Sequence, residues 1–133
     1  MSARRAPSDN PALPRDGSAA LPSWRSWSAP ELHRRLAASQ GRVLVMFGRA
    51  GCGACRAALA RVPALAAGAV DAVVHVDADT SAGLLREFDV FHLPALFLYR
   101  DGTFHAPLAA ALTAPGFARA VGAAFAAPAQ DPP

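Results

Sequence analysis

Cys52 and Cys55 are the only cysteines in a chain of 133 residues, and just two residues separate them. They follow a short apolar run, Val43 to Phe47, and a turn that holds Gly48 and Gly51. An Ala/Leu-rich segment of helical character comes after them. On the first turn of a helix, sulfurs at this spacing can close a small disulfide ring. The first also faces the unpaired N–H groups and the positive dipole end of that helix. Such surroundings favour thiolate over thiol and make a nucleophile near neutral pH. Strand, turn, Cys-X-X-Cys and helix together read as a redox dithiol site.

Composition bounds the rest of the reading. The length suits one domain with tails, and a hydrophobic fraction of 53% is ample for a core. Cysteines this close in sequence cannot tie distant parts of the chain together, so they read as chemistry. All 13 basic residues are arginine, and the formal charge is +3. The excess is uneven: residues 1–42 hold seven Arg and three acids, and residues 43–133 hold six Arg and seven acids. No basic cluster with interleaved aromatics appears, so nucleic acid is not an expected partner. Pro7, Asp9, Pro11, Pro14 and Asp16 follow Arg4 and Arg5 where a secretory signal would need an apolar stretch. No run reaches the ~18 apolar residues of a membrane span. A cytoplasmic monomer is the expectation, and in that compartment a Cys-X-X-Cys is catalytic or metal-binding more often than structural.

Several elements must position the pair. Residues 1–23, rich in Pro, Ser, Ala and Arg, read as a disordered leader. Trp24 and Trp27 cap the fold or form a short edge strand. Ser28-Ala29-Pro30-Glu31 starts a helix with Ser28 as N-cap. Leu32 and Leu36 line its inner face, and Gly41 ends it. Val43 to Phe47 is a strand covered on both faces. Residues 55–67 form a helix with Leu59, Val62 and Leu65 inward and a kink at Pro63. Asp71 to Val76 is a second buried strand, and residues 81–88 are a short helix. Leu93-Pro94 then enters an apolar strand, and Asp101-Gly102 turns it into another. A last helix over residues 114–126 carries Phe117, Val121 and Phe125, and the chain after it frays. The domain is expected over residues 24–127 and the disordered tail over 128–133. The order α, β, α, β, α, β, β, α gives an α/β fold with a mixed central sheet. The sheet has four strands, or five if the tryptophan segment joins it, with helices on both faces.

These features together resemble a thioredoxin-like fold, close to thioredoxin itself, over residues 29–127. The matching residues are Val43 to Phe47 before Cys52-Gly53-Ala54-Cys55, Val76-Asp77, Val90 to Pro94, and the hairpin from Leu96 to Gly102. The resemblance implies a three-layer architecture and a cis Leu93-Pro94 bond packed against the dithiol. It implies that Leu93 shapes access for substrates. It also implies protein disulfides as partners, an upstream dithiol reductase fed by NADPH as donor, and no cofactor beyond the Cys52–Cys55 disulfide. The chain departs from the family at several places. Gly51 stands where a Trp precedes the first cysteine, and Gly48 replaces another aromatic. Met46 stands where the family buries the acid that relays protons for the inner cysteine, and Val73 where that acid has its lysine companion. The glycine of the last strand falls at Ala109 or Ala110.

The chemistry implied is dithiol–disulfide exchange, with Cys52 as nucleophile and Cys55 as resolving thiol. Gly51, Gly53, Ala54, Leu93 and Pro94 are the expected substrate-contacting residues. Arg49 and Arg56 flank the pair and can favour the thiolate, although solvated surface is the plainer reading of both. His92 can tune the thiolate or be a loop histidine without a role. His75 reads as a satisfied core residue, and His33 and His105 read as exposed. Asp77 and Asp79 read as turn formers, and no metal site is expected. Two other functions stay open: a Cu(I)-binding module, since soft thiolates suit that ion, and a thioredoxin-like interaction module without redox activity.

Overall fold

The computed structural model describes residues 21–133. The leader expected over 1–23 therefore lies mostly outside the described residues. The elements run β1 (Trp24–Ser26), α1 (Ala29–Ala38), β2 (Arg42–Gly48), α2 (Gly53–Ala66), β3 (Ala72–Asp77), a 3-10 turn (Ala78–Thr80), α3 (Ala82–Glu87), β4 (Ala95–Arg100), β5 (Thr103–Leu108) and α4 (Gly116–Ala126). One five-stranded sheet has the order β1-β3-β2-β4-β5. Strands β1, β3 and β2 are parallel, and β4 and β5 are antiparallel to their neighbours. The tryptophan segment does supply the fifth strand, with Trp24 opposite Val73.

Alternation along the central strands sends side chains to two separate cores. Val43, Val45 and Phe47 of β2 pack with Val74, Val76, Phe97, Leu32, Leu36 and Phe88 under α1 and α3. Leu44 and Met46 pack with Val73, Leu98, Ala58, Val62, Phe117 and Val121 under α2 and α4. Both faces of β2 are thus covered, which is why it reads as an unbroken apolar run. The Asp101-Gly102 turn has φ values of 50° and 82°. Both central residues are left-handed, as a two-residue hairpin needs. A side chain on Gly102 would also stand 2.7 Å from the Ala37 carbonyl oxygen.

Several local expectations are corrected. Helix α1 ends at Ala38, before Gly41; Ser39 caps it, its N–H and hydroxyl both donating to the Leu36 carbonyl at 3.0 and 2.6 Å. Ser28 is the N-cap residue, but its hydroxyl donates to Glu31 Oε2 rather than accepting from the backbone. The inner stripe of α2 is Cys55, Ala58, Val62 and Ala66, while Leu59 and Leu65 sit at its flanks. His105 is buried, not exposed. The register of β4 on β5 slips between Leu98 and Tyr99, so Tyr99 faces Phe104 and Leu98 faces Ala106. The extra residue, His105, turns toward α4 and donates through Nε2 to the Ala124 carbonyl at 2.7 Å. His75 is not satisfied: its Nε2 is buried without a hydrogen-bond partner, beside the edge of the Trp24 ring. Residues 128–133, expected as a disordered tail, carry a backbone hydrogen bond from Gln130 N to His105 O at 2.7 Å.

Pro63 does not divide α2, which runs as one helix from Gly53 to Ala66. Proline has no N–H to give the carbonyl four residues back, that of Leu59. The indole Nε1 of Trp24 donates to that carbonyl instead, at 2.8 Å. One side chain on β1 therefore supplies the hydrogen bond that α2 lacks and joins the edge strand to the helix carrying the cysteines. Replacing Trp24 by Phe should lower the unfolding free energy by about 1 kcal/mol, the net worth of such a bond. In a Pro63→Ala background, where residue 63 has its own N–H, the same change should cost less. Denaturant titration of the four proteins measures both values.

Candidate active site

Strand β2 ends at Gly48 and α2 begins at Gly53, so four residues carry the chain from sheet to helix. Cys52 is the N-cap of α2, with extended φ and ψ of −102° and 115°. Its Sγ accepts from the Cys55 amide at 3.1 Å, the place a Ser or Asp oxygen takes in other helix starts. The turn is closed by Cys52 N donating to Arg49 O at 3.2 Å and Arg56 N donating to Cys52 O at 3.1 Å. Cys52 is partly exposed, while Cys55 is fully buried on the inner stripe of α2. The sulfurs are not bonded to each other in this structure.

Cys55 lies close against Gly48. A β-carbon added there would stand 3.2 Å from Cys55 Cβ, 3.3 Å from its Sγ and 3.4 Å from Met46 Cε. The buried thiol and the Met46 methyl thus meet at the same small residue. The inner sulfur rests on an apolar floor.

The two thiols are pushed in opposite directions. The Cys55 thiol donating to Cys52 is the chief cause holding the Cys52 pKa down, helped by the amides of Cys55 and Ala54 and by the charge of Arg49. Burial pushes the Cys55 thiol up, and its bond to Cys52 pushes it further. At neutral pH the outer sulfur is the better nucleophile and the inner one holds its proton.

The other expected site residues divide. The Leu93-Pro94 bond is cis, and Leu93 O lies 3.9 Å from Cys52 Sγ. Gly51, Gly53 and Ala54 are exposed around the sulfur, and Leu93 and Pro94 are half-buried. Arg49 acts on both thiols and is paired with Asp79 through Nε at 3.0 Å. Arg56 folds back to donate to the Ala50 carbonyl at 2.9 Å, so it holds the turn and does not tune the sulfur. The cleft at the sulfur, about 230 Å³, is lined by Arg49, Cys52, Leu85, Val90, Phe91 and Leu93, and His92 is not among them. His92 lines a larger apolar cavity of about 660 Å³. Phe91 was not singled out by sequence reasoning, yet it walls both spaces. Its one signal was an aromatic placed in a loop, three residues before the proline. Among the described residues no three His, Cys, Asp or Glu side chains gather as a metal site would require. None of the described helices is long and apolar enough to cross a membrane.

Alkylation of the reduced protein at a series of pH values should modify Cys52 with a midpoint below the ordinary thiol range. Cys55 should react only at far higher pH. Arg49→Gln should move the Cys52 midpoint upward, because a cation that favours the thiolate is lost. Peptide mapping of the alkylated protein reads each site separately.

No curated protein matches the sequence. Solved thioredoxins share the fold. A mutant thioredoxin from Halobacterium salinarum aligns with a TM-score of 0.64 and 22% identity, covering 87% of this chain and 100% of that one. The thioredoxin of Trypanosoma brucei brucei aligns with a TM-score of 0.56 and 20% identity, covering 68% and 81%. The thioredoxin family profile matches residues 25–121, from the first strand into α4 and across both cysteines. Strand order, cis proline and dithiol geometry agree with that match, and the chain belongs to the thioredoxin family.

Proposed function

We propose that this protein is a cytoplasmic protein-disulfide reductase working through Cys52 and Cys55. The observation that carries the reading is the division of labour between the sulfurs: one partly exposed and stabilised as thiolate, the other buried and protonated. The Cys52 thiolate attacks one sulfur of a substrate disulfide. A Cys52–substrate bond forms, the substrate S–S bond breaks, and one substrate thiolate leaves. Cys55 then loses its proton and attacks Cys52 Sγ. The Cys52–Cys55 bond forms as the mixed disulfide breaks, and the second substrate thiolate leaves. The substrate has gained two electrons and the enzyme has lost two. A dithiol reductase upstream, fed by NADPH, restores the reduced pair, and no other cofactor takes part. Gly51, Gly53, Ala54, Leu93 and Pro94 form the surface that receives the substrate.

Met46 shapes the rate. It stands at the position where the family buries a proton-relaying acid, and its methyl and the Cys55 sulfur both lie against Gly48; water or the departing substrate thiolate takes the Cys55 proton instead. Resolution of the mixed disulfide is therefore slower at neutral pH, and it accelerates as pH rises toward the elevated Cys55 pKa.

Insulin-type disulfide reduction with a small dithiol as donor tests the assignment. The wild type should turn over, Cys52→Ser should abolish turnover, and Cys55→Ser should accumulate a mixed disulfide visible by mass. A wild type without turnover would point to an interaction module that has lost its redox role. Met46→Asp should raise the resolution rate about tenfold near pH 7 by supplying a general base. The same variant should lose about 2 kcal/mol of stability, because a polar group then enters the apolar core. Stopped-flow resolution kinetics and denaturant titration read the two effects.

A further inference from the structure

We infer that Phe91 is the specificity-determining residue of the Cys52 cleft and selects polypeptide disulfides flanked by bulky apolar side chains. The inference rests on the disulfide-exchange reading and names the substrate class of that same site. Phe91 is 84% exposed, the most exposed large hydrophobic among the described residues. Loop aromatics normally turn inward, because a phenyl ring in water forgoes the gain of burial. Here Phe91 lines the same cleft as the Cys52 sulfur, and the other apolar walls are Leu85, Val90 and Leu93. Apart from the Cys52 sulfur itself, the only charged group lining that cleft is Arg49, and Asp79 pairs with it. The cleft therefore offers no unpaired cation to an anionic disulfide of low mass.

Phe91 and Val90 also wall the larger cavity, which continues past Pro94 to Leu96, Pro107 and Leu112. A polypeptide with its cysteine on Cys52 passes over Phe91 before reaching that cavity. The side chain next to its cysteine packs on the phenyl face, and a second apolar side chain enters the cavity beyond. Gly51, next to Cys52 in the chain, carries no side chain, and a β-carbon added there would meet nothing within 4 Å. Phe91 is thus the most exposed large apolar side chain lining the cleft.

Cysteine-free peptides separate this inference from the exchange reading. Two fluorescent peptides, with Ser in place of the cysteine and either Leu or Ser at the flanking positions, are titrated against reduced wild type, Phe91→Ser and Phe91→Leu. The wild type should bind the leucine peptide about tenfold more tightly than the serine peptide, the discrimination expected of an apolar contact. Phe91→Ser should bring that ratio close to one, and Phe91→Leu should keep most of it. A wild type that does not discriminate, or a Phe91→Ser variant that keeps the full ratio, overturns the inference. Reduction of a low-mass aromatic disulfide by the wild type reports separately on exchange. Its failure sinks the reductase reading and leaves the binding ratio to judge Phe91.

Discussion

Within a single helical turn the protein must give two identical side chains opposite environments. It does so by setting the boundary between water and core across the first turn of α2. Cys52 stands outside, at the cap position, where the Cys55 and Ala54 amides and Arg49 stabilise negative charge. Cys55 stands inside, against Gly48 and the Met46 methyl, where charge is costly. The difference depends on where β2 stops and on how closely α2 lies over it. A β-carbon at position 48 would stand 3.3 Å from the inner sulfur and press it by a few tenths of an ångström.

The surroundings serve that boundary. Strand β2 is paired on both sides and buried on both faces, so its end is the most rigid point from which the turn can leave. Helix α2 is held from beneath by its small inner stripe and from the side by Trp24, which answers the carbonyl left open by Pro63. The cis Leu93-Pro94 step brings the loop before β4 up to the outer sulfur. The turn before α2, helix α3 and the loop before β4 thus converge on one cleft.

Much of this was legible in the residues. An unbroken apolar run marks β2, and a valine-rich run interrupted only by His75 marks β3, because both faces of each are covered. Asp101-Gly102 marks the hairpin because few other pairs accept two positive φ values. The dithiol was legible because spacing and helix position are both written in the sequence. What escaped reading depends on register and on side-chain direction. One extra residue in β5 reverses which face each neighbour meets, so His105 goes inside although strict alternation with the buried Phe104 would turn it outward. The cleft admits Phe91 and not His92, and adjacent loop positions give no periodicity from which to choose between them. His75 keeps the strand's alternation but has no donor or acceptor for Nε2, a deficit visible only once its neighbours are in place. Arg56 lies near the sulfur in sequence and is drawn away by the Ala50 carbonyl.

The borders of the sheet carry one more consequence. On one side β1 is three residues long. On the other, β5 contains the slip at His105 and has Pro107, which lacks an N–H, and Gln130 already occupies the His105 carbonyl. Neither margin offers a foreign strand the long ladder of open amides and carbonyls that fibril growth requires. The sheet is thereby kept from adding strands of other chains at its edges.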